Sequence, residues 1–251
     1  MGEGLIHRRA LLVFLTLGVI TPLVFGLALG QGSVSVPWLD WLLDPAKADP
    51  QTLQIVFDLR LPRVVAAFCV GGLLAMAGLL MQALLKNPLA DPYILGVSGG
   101  AGLGGVLAAV LAPVFLTAYF MPLGAAAGAL AVVLLVFGLA GSGRVKTLDR
   151  LILLGVAVSS VCSALVSLLL TFSEEGLFRG LVFWLLGELN GQHAGLLLLA
   201  WALTLVVCLP MARSMNVVVL GEDLAQSVGV PVHTLRIGLY WVSALATGVA
   251  V

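Results

Sequence analysis

The sequence is poor in charged residues. Only 10% of its 251 residues are Asp, Glu, Lys or Arg, whereas a soluble domain carries roughly 25%. A chain with so little charge cannot cover itself with a water-facing surface, which excludes an ordinary soluble protein. Its twelve basic and twelve acidic residues give a net charge of zero, and this balance argues against a nucleic-acid partner.

The sequence also lacks a set of residues suited to catalysis or metal binding. The three histidines lie far apart on loops or chain ends, and Cys69, Cys162 and Cys208 lie inside apolar runs without ligand spacing. No phosphate-binding Gly-x-x-x-x-Gly-Lys-Ser/Thr motif is present. We therefore expect no enzymatic activity, no metal and no cofactor on this chain.

Apolar residues, in contrast, are abundant. They make up 61% of the chain, and the mean hydropathy is +1.16. The apolar stretches are continuous and close to the ~20 residues that a helix needs to cross a bilayer, which predicts an all-α polytopic membrane protein. Seven spans are predicted, at Ala10–Leu29, Val64–Leu85, Asp91–Leu111, Leu123–Leu139, Leu151–Phe172, Ala194–Met211 and from Ile237 onward.

The stretches between the spans have their own composition. Trp38 and Trp41, in a predicted loop from Gln31 to Asp58, suit the membrane interface. The other predictions are a charged turn at Ser173–Arg179, an apolar half-helix at Gly180–Gly191 and a polar segment at Ala212–Arg236. Because the chain ends at Val251 inside an apolar run, we expect it to be a fragment of a longer protein, truncated at the C-terminus.

The distribution of Lys and Arg predicts the orientation, since these residues favour cytoplasmic loops. With a cytoplasmic N-terminus, eight basic residues lie inside and four outside. The eight are Arg8, Arg9, Lys86, Arg144, Lys146, Arg150, Arg213 and Arg236, and the four are Lys47, Arg60, Arg63 and Arg179.

Two arginines, Arg60 and Arg63, stand at the entrance of the second span. Pro62 between them suits a first helical turn, so the backbone that presents both guanidinium groups is stiff. Such a pair on an outer surface is suited to binding carboxylates. A pair of anchors to lipid headgroups is the alternative interpretation.

Two segments on the predicted cytoplasmic side have distinctive patterns. Residues 87–92, Asn-Pro-Leu-Ala-Asp-Pro, form either a tight turn with helix caps or a constriction that closes a pathway. Residues 216–230 can form a short amphipathic helix, with Glu222 and Asp223 in its first turn and Gly229 at its end. This helix is a candidate docking site for a cytoplasmic protein, or a structured loop without a partner.

A polar stripe runs along the fifth predicted span. It consists of Ser159, Ser160, Ser163 and Ser167 at near-helical spacing. Hydrogen bonds to the helix backbone, or contacts between helices, are one interpretation. The other is that this helix lines a water-filled pathway.

Taken together, three motifs resemble the FecCD-type permease subunits of ATP-binding-cassette (ABC) importers for iron-siderophore, haem and vitamin B12. They are Leu-Arg-Leu-Pro-Arg at 59–63, Gln82 with Lys-Asn-Pro-Leu-Ala-Asp-Pro at 86–92 and Leu-Gly-Val-Ser-Gly-Gly-Ala at 95–101, and Leu-Gly-Glu-Asp-Leu-Ala-Gln-Ser-Val-Gly-Val at 220–230. The resemblance covers the whole chain in the right order. Two positions depart from it: Lys86, where arginine is common, and Gly99, where serine is common.

The resemblance implies a single transmembrane permease domain over residues 1–251, with about seven of the ten spans of a vitamin B12 permease bundle. It implies a homodimer in the bacterial inner membrane with the pathway at the dimer interface. Two cytoplasmic ATPase subunits, which bind ATP-Mg, and a periplasmic substrate-binding protein would complete the importer. The transport mechanism implied is alternating access, with no chemistry on the permease.

The resemblance also implies roles for particular residues. Arg60 and Arg63 would face acidic residues of the binding protein, and the serine stripe would line the pathway. Asn87 and Leu89, with the turn at Thr147 and Leu148, would close the cytoplasmic gate. Coupling to the ATPase would involve Leu220, Gly221, Glu222, Asp223, Leu224, Ala225, Gln226, Ser227 and Gly229.

A secondary carrier or channel that works without an ATPase is the alternative function. Ion-coupled carriers usually hold an acidic residue at mid-depth in a span, and the predicted spans have none, which favours the importer. Iron-siderophore, haem and cobalamin are the expected substrates.

Overall fold

A computed structural model describes residues 2–34, 36, 49–139, 148–189, 191 and 193–251. These residues form helices and no strands. The α-helices are α1 (Gly2–Gly30), α2 (Pro50–Gln54), α3 (Leu61–Leu85), α4 (Val97–Leu111), α5 (Thr117–Leu139), α6 (Leu148–Thr171), α7 (Glu175–Leu185), α8 (Ala194–Leu220), α9 (Glu222–Ser227) and α10 (Val232–Ala250).

The predicted spans correspond to helices α1, α3, α4, α5, α6, α8 and α10. Five helical stretches of the described chain are long and apolar enough to cross a membrane, and they include α1, α3, α5, α6 and α8. Helix α4 is apolar but has only 15 residues. The expectation of an all-helical membrane protein is therefore confirmed.

The second span starts earlier than the sequence analysis predicted. Asp49 caps a helix at Pro50, and its carboxylate accepts a hydrogen bond from the Thr52 amide at 3.3 Å. The chain then stays helical from Pro50 to Leu85, through a π-helical segment at Ile55–Arg60. Pro62 therefore lies inside a continuous helix, two residues after the end of the π-helical segment.

Other predicted boundaries were also wrong. The charged turn at 173–179 is largely helical, because α7 already begins at Glu175. The polar segment at 212–236 contains the end of α8, all of α9 and the start of α10. Helix α8 continues through Pro210, a residue that neighbouring helices make tolerable in membrane proteins. Trp38 and Trp41 lie outside the described residues.

The chain divides into two compact units, and the smaller comprises Met1–Phe68 and Leu189–Ala194. In this unit, Phe25 of α1 makes an edge-to-face contact with Phe68 of α3, with ring centroids 5.6 Å apart. Gly191 has φ +75°, and a Cβ there would lie 2.8 Å from the Arg63 backbone nitrogen. Gly191 thus lies directly against the start of α3.

The larger unit comprises Cys69–Glu188 and Gly195–Val251. The second half of α3 lies at its centre. Met81 and Leu84 pack with residues of α4, α5 and α10, while Leu80 and Ala83 pack with residues of α8, α9 and α10. The buried Ser243 hydroxyl of α10 donates a hydrogen bond to the Ala77 carbonyl of α3 at 3.0 Å.

Glycines bring the helices of the larger unit close together. Gly100 and Gly104 of α4 face Gly124 and Gly128 of α5, and a Cβ on Gly104 would lie 2.9 Å from the Gly128 Cα. Small residues let membrane helices pack backbone against backbone. The Gly-x-x-x-Gly spacing in α5, which is common by chance, is therefore a packing motif in this protein.

Candidate functional site

The turn between α3 and α4, residues 86–91, is held by its own hydrogen bonds. The Asn87 side-chain oxygen accepts a bond from the Leu89 amide at 2.9 Å, and the Asn87 carbonyl accepts one from Ala90 at 3.1 Å. Ala90 is buried, whereas the Leu89 side chain is 85% exposed. The turn is thus locally rigid and projects one apolar side chain outward.

The Asp-Pro signal after this turn acts as predicted, although on a shorter helix. Asp91 caps a 3-10 helix at Pro92–Leu95 and accepts a hydrogen bond from the Tyr93 amide at 2.7 Å. Gly96, with φ +77°, then reverses the backbone before α4 begins. A Cβ on Gly96 would lie 2.7 Å from the Gly155 carbonyl of α6, so glycine is required there.

Helix α9 is short and is anchored on one side only. Ala225 is completely buried and packs among side chains of α3, α8 and α10. Leu224 and Val228 are 49% and 62% exposed. The helix ends before Gly229, whose φ of +83° favours glycine, as the sequence predicts.

The predicted coupling residues do not form a single helix. Leu220 is the last residue of α8 and is 76% exposed. Gly221, with φ +154°, separates it from α9. Six of the other predicted residues, Glu222, Asp223, Leu224, Ala225, Gln226 and Ser227, form α9, and Gly229 follows its end.

Glu222 connects α9 to two other elements. Its carboxylate accepts a hydrogen bond from the Lys86 ammonium at 2.9 Å and pairs with the Arg236 guanidinium of α10. The hydrogen bond from Lys86 lowers the pKa of Glu222, and the positive charges of Arg236 and Lys86 add to this effect against the opposing effect of burial. We call these three residues the Glu222 ion cluster.

A groove of about 550 Å³ opens beside the 86–91 turn, between α3 and α8. Its polar atoms come from Gln82, Lys86, Asn87 and Asn216, and its walls are otherwise mainly apolar. Within the larger unit, the turn therefore has open space on one side.

Arg60 and Arg63 differ in their surroundings. The Arg60 guanidinium donates hydrogen bonds to the Leu29 carbonyl at 2.7 Å and to the Val34 carbonyl. It thereby satisfies carbonyls at and beyond the end of α1. Arg63 is exposed, so it is the more accessible member of the pair.

The serine stripe on α6 is partly engaged in backbone contacts. Ser160 and Ser167 donate hydrogen bonds to the carbonyls four residues earlier, at 2.9 and 3.0 Å. Ser160, Ser163 and Ser167 are exposed on one side of α6, whereas Ser159 lies against Gly99 of α4. The stripe is thus a face of three serines with Ser159 at its edge.

Two of the four predicted gate residues cannot be placed beside the 86–91 turn. Thr147 lies outside the described residues, and Leu148 is described only as the first residue of α6.

In the described ranges, no three His, Cys, Asp or Glu residues lie close enough together to hold a metal ion.

The Glu222 ion cluster was not predicted from the sequence. Lys86 and Glu222 are 136 positions apart, and no local pattern relates residues at that separation. The one signal in the sequence was that both charged residues fall on the predicted cytoplasmic side. This permits an ion pair between them but does not distinguish it from pairs with other charged residues on that side.

Known proteins resemble this chain over most of its length. The vitamin B12 import system permease protein BtuC of Yersinia enterocolitica is 40% identical over 199 residues, which is 78% of this chain and 59% of that protein. The hemin transport system permease protein HmuU of Yersinia pestis is 36% identical over 94% of this chain and 73% of that protein. The chain thus spans about three fifths to three quarters of the length of these relatives.

A solved structure also matches the fold. It shows an inward-facing conformation of a transporter whose description assigns it to the metal-chelate type of ABC transporters. The TM-score is 0.78 at 30% identity, over 95% of this chain and 75% of that one. The family model described as the FecCD transport family matches residues 20–251. With nearly the whole chain matched, the protein belongs to the FecCD transport family.

Proposed function

We propose that this chain is the permease part of an ABC importer in the bacterial inner membrane. The observation that carries the proposal is α9, a short helix outside the candidate spans that is anchored through the buried Ala225 and exposes Leu224 and Val228. Exposed apolar side chains on a polar, extramembrane segment fit a protein interface. In a chain of this family, we assign that interface to a cytoplasmic ATPase subunit.

The ATPase supplies the energy in this proposal. ATP-Mg binds to the two ATPase subunits, and the permease carries out no covalent chemistry. When the two ATPase subunits approach each other, they move α9, and this movement switches the permease between outward- and inward-facing states. The orientation follows the distribution of Lys and Arg and places the N-terminus, the 86–91 turn and α9 in the cytoplasm.

The 86–91 turn is proposed as part of the cytoplasmic gate. Its internal hydrogen bonds hold Leu89 outward, and an exposed apolar side chain at a pathway mouth can exclude water and substrate. Asn87 fixes the turn, while the segment around Thr147 and Leu148 completes the gate. A second permease copy supplies the opposite half, with the serine face of α6 lining the pathway between the copies.

The opposite end of α3 is proposed to contact a periplasmic substrate-binding protein. Arg63 is exposed and available for a carboxylate of that protein. Arg60 contributes mainly by holding the end of α1 beside it, through its bonds to the carbonyls of Leu29 and Val34.

The proposed substrates are cobalamin, haem and iron-siderophore. Relatives of this chain are named for vitamin B12 and for hemin import, and the solved structure is described as of metal-chelate type. All three substrates are metal chelates with large organic frameworks. Binding of cyanocobalamin, hemin and ferrichrome to the binding protein encoded beside the permease gene would distinguish them.

Leu224→Asp tests the proposed ATPase interface. A carboxylate in an apolar interface must lose its hydration, so we expect ATP hydrolysis to be uncoupled from transport while membrane insertion is normal. The measurement is uptake per ATP hydrolysed by the full-length importer in proteoliposomes. Leu224→Met, which preserves apolar volume, should retain the wild-type ratio. A wild-type ratio in Leu224→Asp would show that α9 is not the coupling helix.

A further inference from the structure

The Glu222 ion cluster joins three elements that are distant in sequence. Lys86 follows the end of α3, Glu222 begins α9 and Arg236 lies in the first turns of α10. One carboxylate oxygen, Oε1, accepts from both cations. The three side chains are each about one third exposed, with values of 32–35%. In a chain with only 10% charged residues, three charged side chains that meet at one point suggest a specific role.

The backbone at Lys86 gives a second, independent observation. Among the described residues, Lys86 is the one non-glycine residue with positive φ, at +50°. The Asn87 amide donates to the Gln82 carbonyl at 3.2 Å, the bond that closes a helix end around a left-handed residue. Glycine is the usual residue there, because other residues adopt this conformation at a cost. A lysine in this position indicates that its side chain is needed.

We propose that the Glu222 ion cluster transmits movement of α9 to the gate turn. The inference rests on the proposed function of α9 and of the 86–91 turn. Lys86 is covalently continuous with Asn87 and Leu89, and the hydrogen bonds within the turn make that segment move as one piece. A displacement of Glu222 therefore pulls Lys86 and, with it, Leu89. Arg236 conveys the same displacement to α10.

Apolar packing also connects α9 to α3, because Ala225 lies in one cluster with Leu80 and Ala83. This apolar contact is with α3 itself and not with the 86–91 turn that follows α3. Partly exposed ion pairs contribute little to the stability of a whole fold, so the cluster is expected to act on the local attachment of α9 and on coupling rather than on folding of the helix bundle. Lys86, Glu222 and Arg236 are thus positioning residues that act through Leu89.

Lys86→Gly separates these roles. Glycine accepts positive φ without strain, so the helix end should be as stable as in the wild type or more stable. At the same time the variant removes the ammonium group from the cluster. Lys86→Arg restores a cation and should restore coupling. Glu175→Gln is the matched control, since it breaks an ion pair with Arg179 that lies within α7 alone.

The experiment measures movement of the gate directly and needs no transport substrate. A cysteine is placed at Leu89 (Leu89→Cys) in full-length permease, and Cys208→Ser removes the one thiol among the described residues that is not buried. The importer, with its ATPase, is reconstituted in nanodiscs. Its labelling rate with a hydrophilic maleimide is measured without nucleotide and with ATP and vanadate.

With Lys86 present, trapping of the ATPase should change the labelling rate at position 89 by about fivefold or more. In Lys86→Gly and Glu222→Gln, the two rates should agree within about twofold while the ATPase stays bound. Lys86→Arg and Glu175→Gln should respond as the wild type does. An undiminished response in Lys86→Gly overturns the inference, as does loss of the bound ATPase, because the cluster would then be needed for docking. If the background with Lys86 does not respond, the proposed gate itself is wrong.

Discussion

Arg60 and Arg63 come from one short motif but have different environments. The guanidinium of Arg60 is committed to carbonyls at and beyond the end of α1, and Arg63 is exposed. Residue type and spacing predicted an equivalent pair, because neither indicates which side chain finds a carbonyl partner. Their distinct environments predict distinct mutant behaviour.

Arg63→Glu should weaken docking of the binding protein roughly tenfold at low salt, and less at high salt, where exposed charges are screened. Arg60→Glu should instead destabilise the permease by about 1–3 kcal/mol, because the carbonyls of Leu29 and Val34 lose a donor. Binding of the partner to nanodisc-embedded permease and thermal unfolding measure the two effects. Arg179→Glu, with the same charge change on the same predicted side, is the control. Equal docking by Arg63→Glu and wild type would assign Arg63 to lipid anchoring.

Glu222 should make the attachment of α9 sensitive to acid. Its pKa is held below the ordinary value of 4.5, chiefly by the hydrogen bond from Lys86. A carboxylate with a lowered native pKa stabilises the folded arrangement fully above its ordinary pKa, and the contribution is lost as the pH falls through the native value. Protection of the α9 amides from hydrogen exchange should therefore be constant down to about pH 4.5 and then fall.

Glu222→Gln provides the comparison for this pH dependence. The variant cannot form the ion pairs, so α9 should be less protected at neutral pH and should show no acid-dependent step. Hydrogen-exchange protection factors, corrected for the intrinsic effect of pH, measure both proteins. An acid step that persists in Glu222→Gln would assign the pH dependence to another group.

Among the helices, the same start signal, an aspartate cap followed by proline, occurs twice, but only one of the two was predicted to start a helix. Asp91-Pro92 was correctly predicted as a helix start, and Asp49-Pro50 has the same cap followed by proline. The second instance was assigned to a loop because polar residues surround it. The apolar lengths of the predicted spans, in contrast, were sufficient to place each of the seven on a helix of the described chain, five of them within stretches long and apolar enough to cross a membrane.

The packing of α4 on α5 depends on glycine, so glycine-to-alanine variants at and away from the contact should differ in stability. In Gly104→Ala, the new methyl group would meet the backbone of Gly124 and Gly128, and we expect destabilisation by about 1–3 kcal/mol. Gly138→Ala, also on α5, adds a methyl group with no atom within 4 Å. Alanine is better than glycine in a helix, so this variant should unfold at the same or a higher temperature.

Thermal unfolding of the full-length protein in detergent measures both glycine variants. A loss of stability in Gly104→Ala alone confirms the close approach of α4 and α5. Similar unfolding temperatures for the two variants would show that α4 and α5 do not approach each other closely at Gly104.

For the whole molecule, the sequence was informative about class and family and less so about the site. Composition and apolar runs indicated a helical membrane protein, and three motifs indicated its family. The Glu222 ion cluster and the contact of Gly104 with Gly124 depend on which helices become neighbours. Such tertiary contacts arise from shape complementarity across the fold, and no spacing rule within one segment reports them.

We propose that this permease imports its substrate only together with an ATPase. The most direct measurement is uptake of cyanocobalamin, hemin and ferrichrome into proteoliposomes that contain the full-length permease and its binding protein, with and without the neighbouring ATPase and ATP. We expect uptake of one of the three only when both ATPase and ATP are present. Uptake without the ATPase, driven by an ion gradient or by none, would contradict the proposal and identify a secondary carrier or a channel.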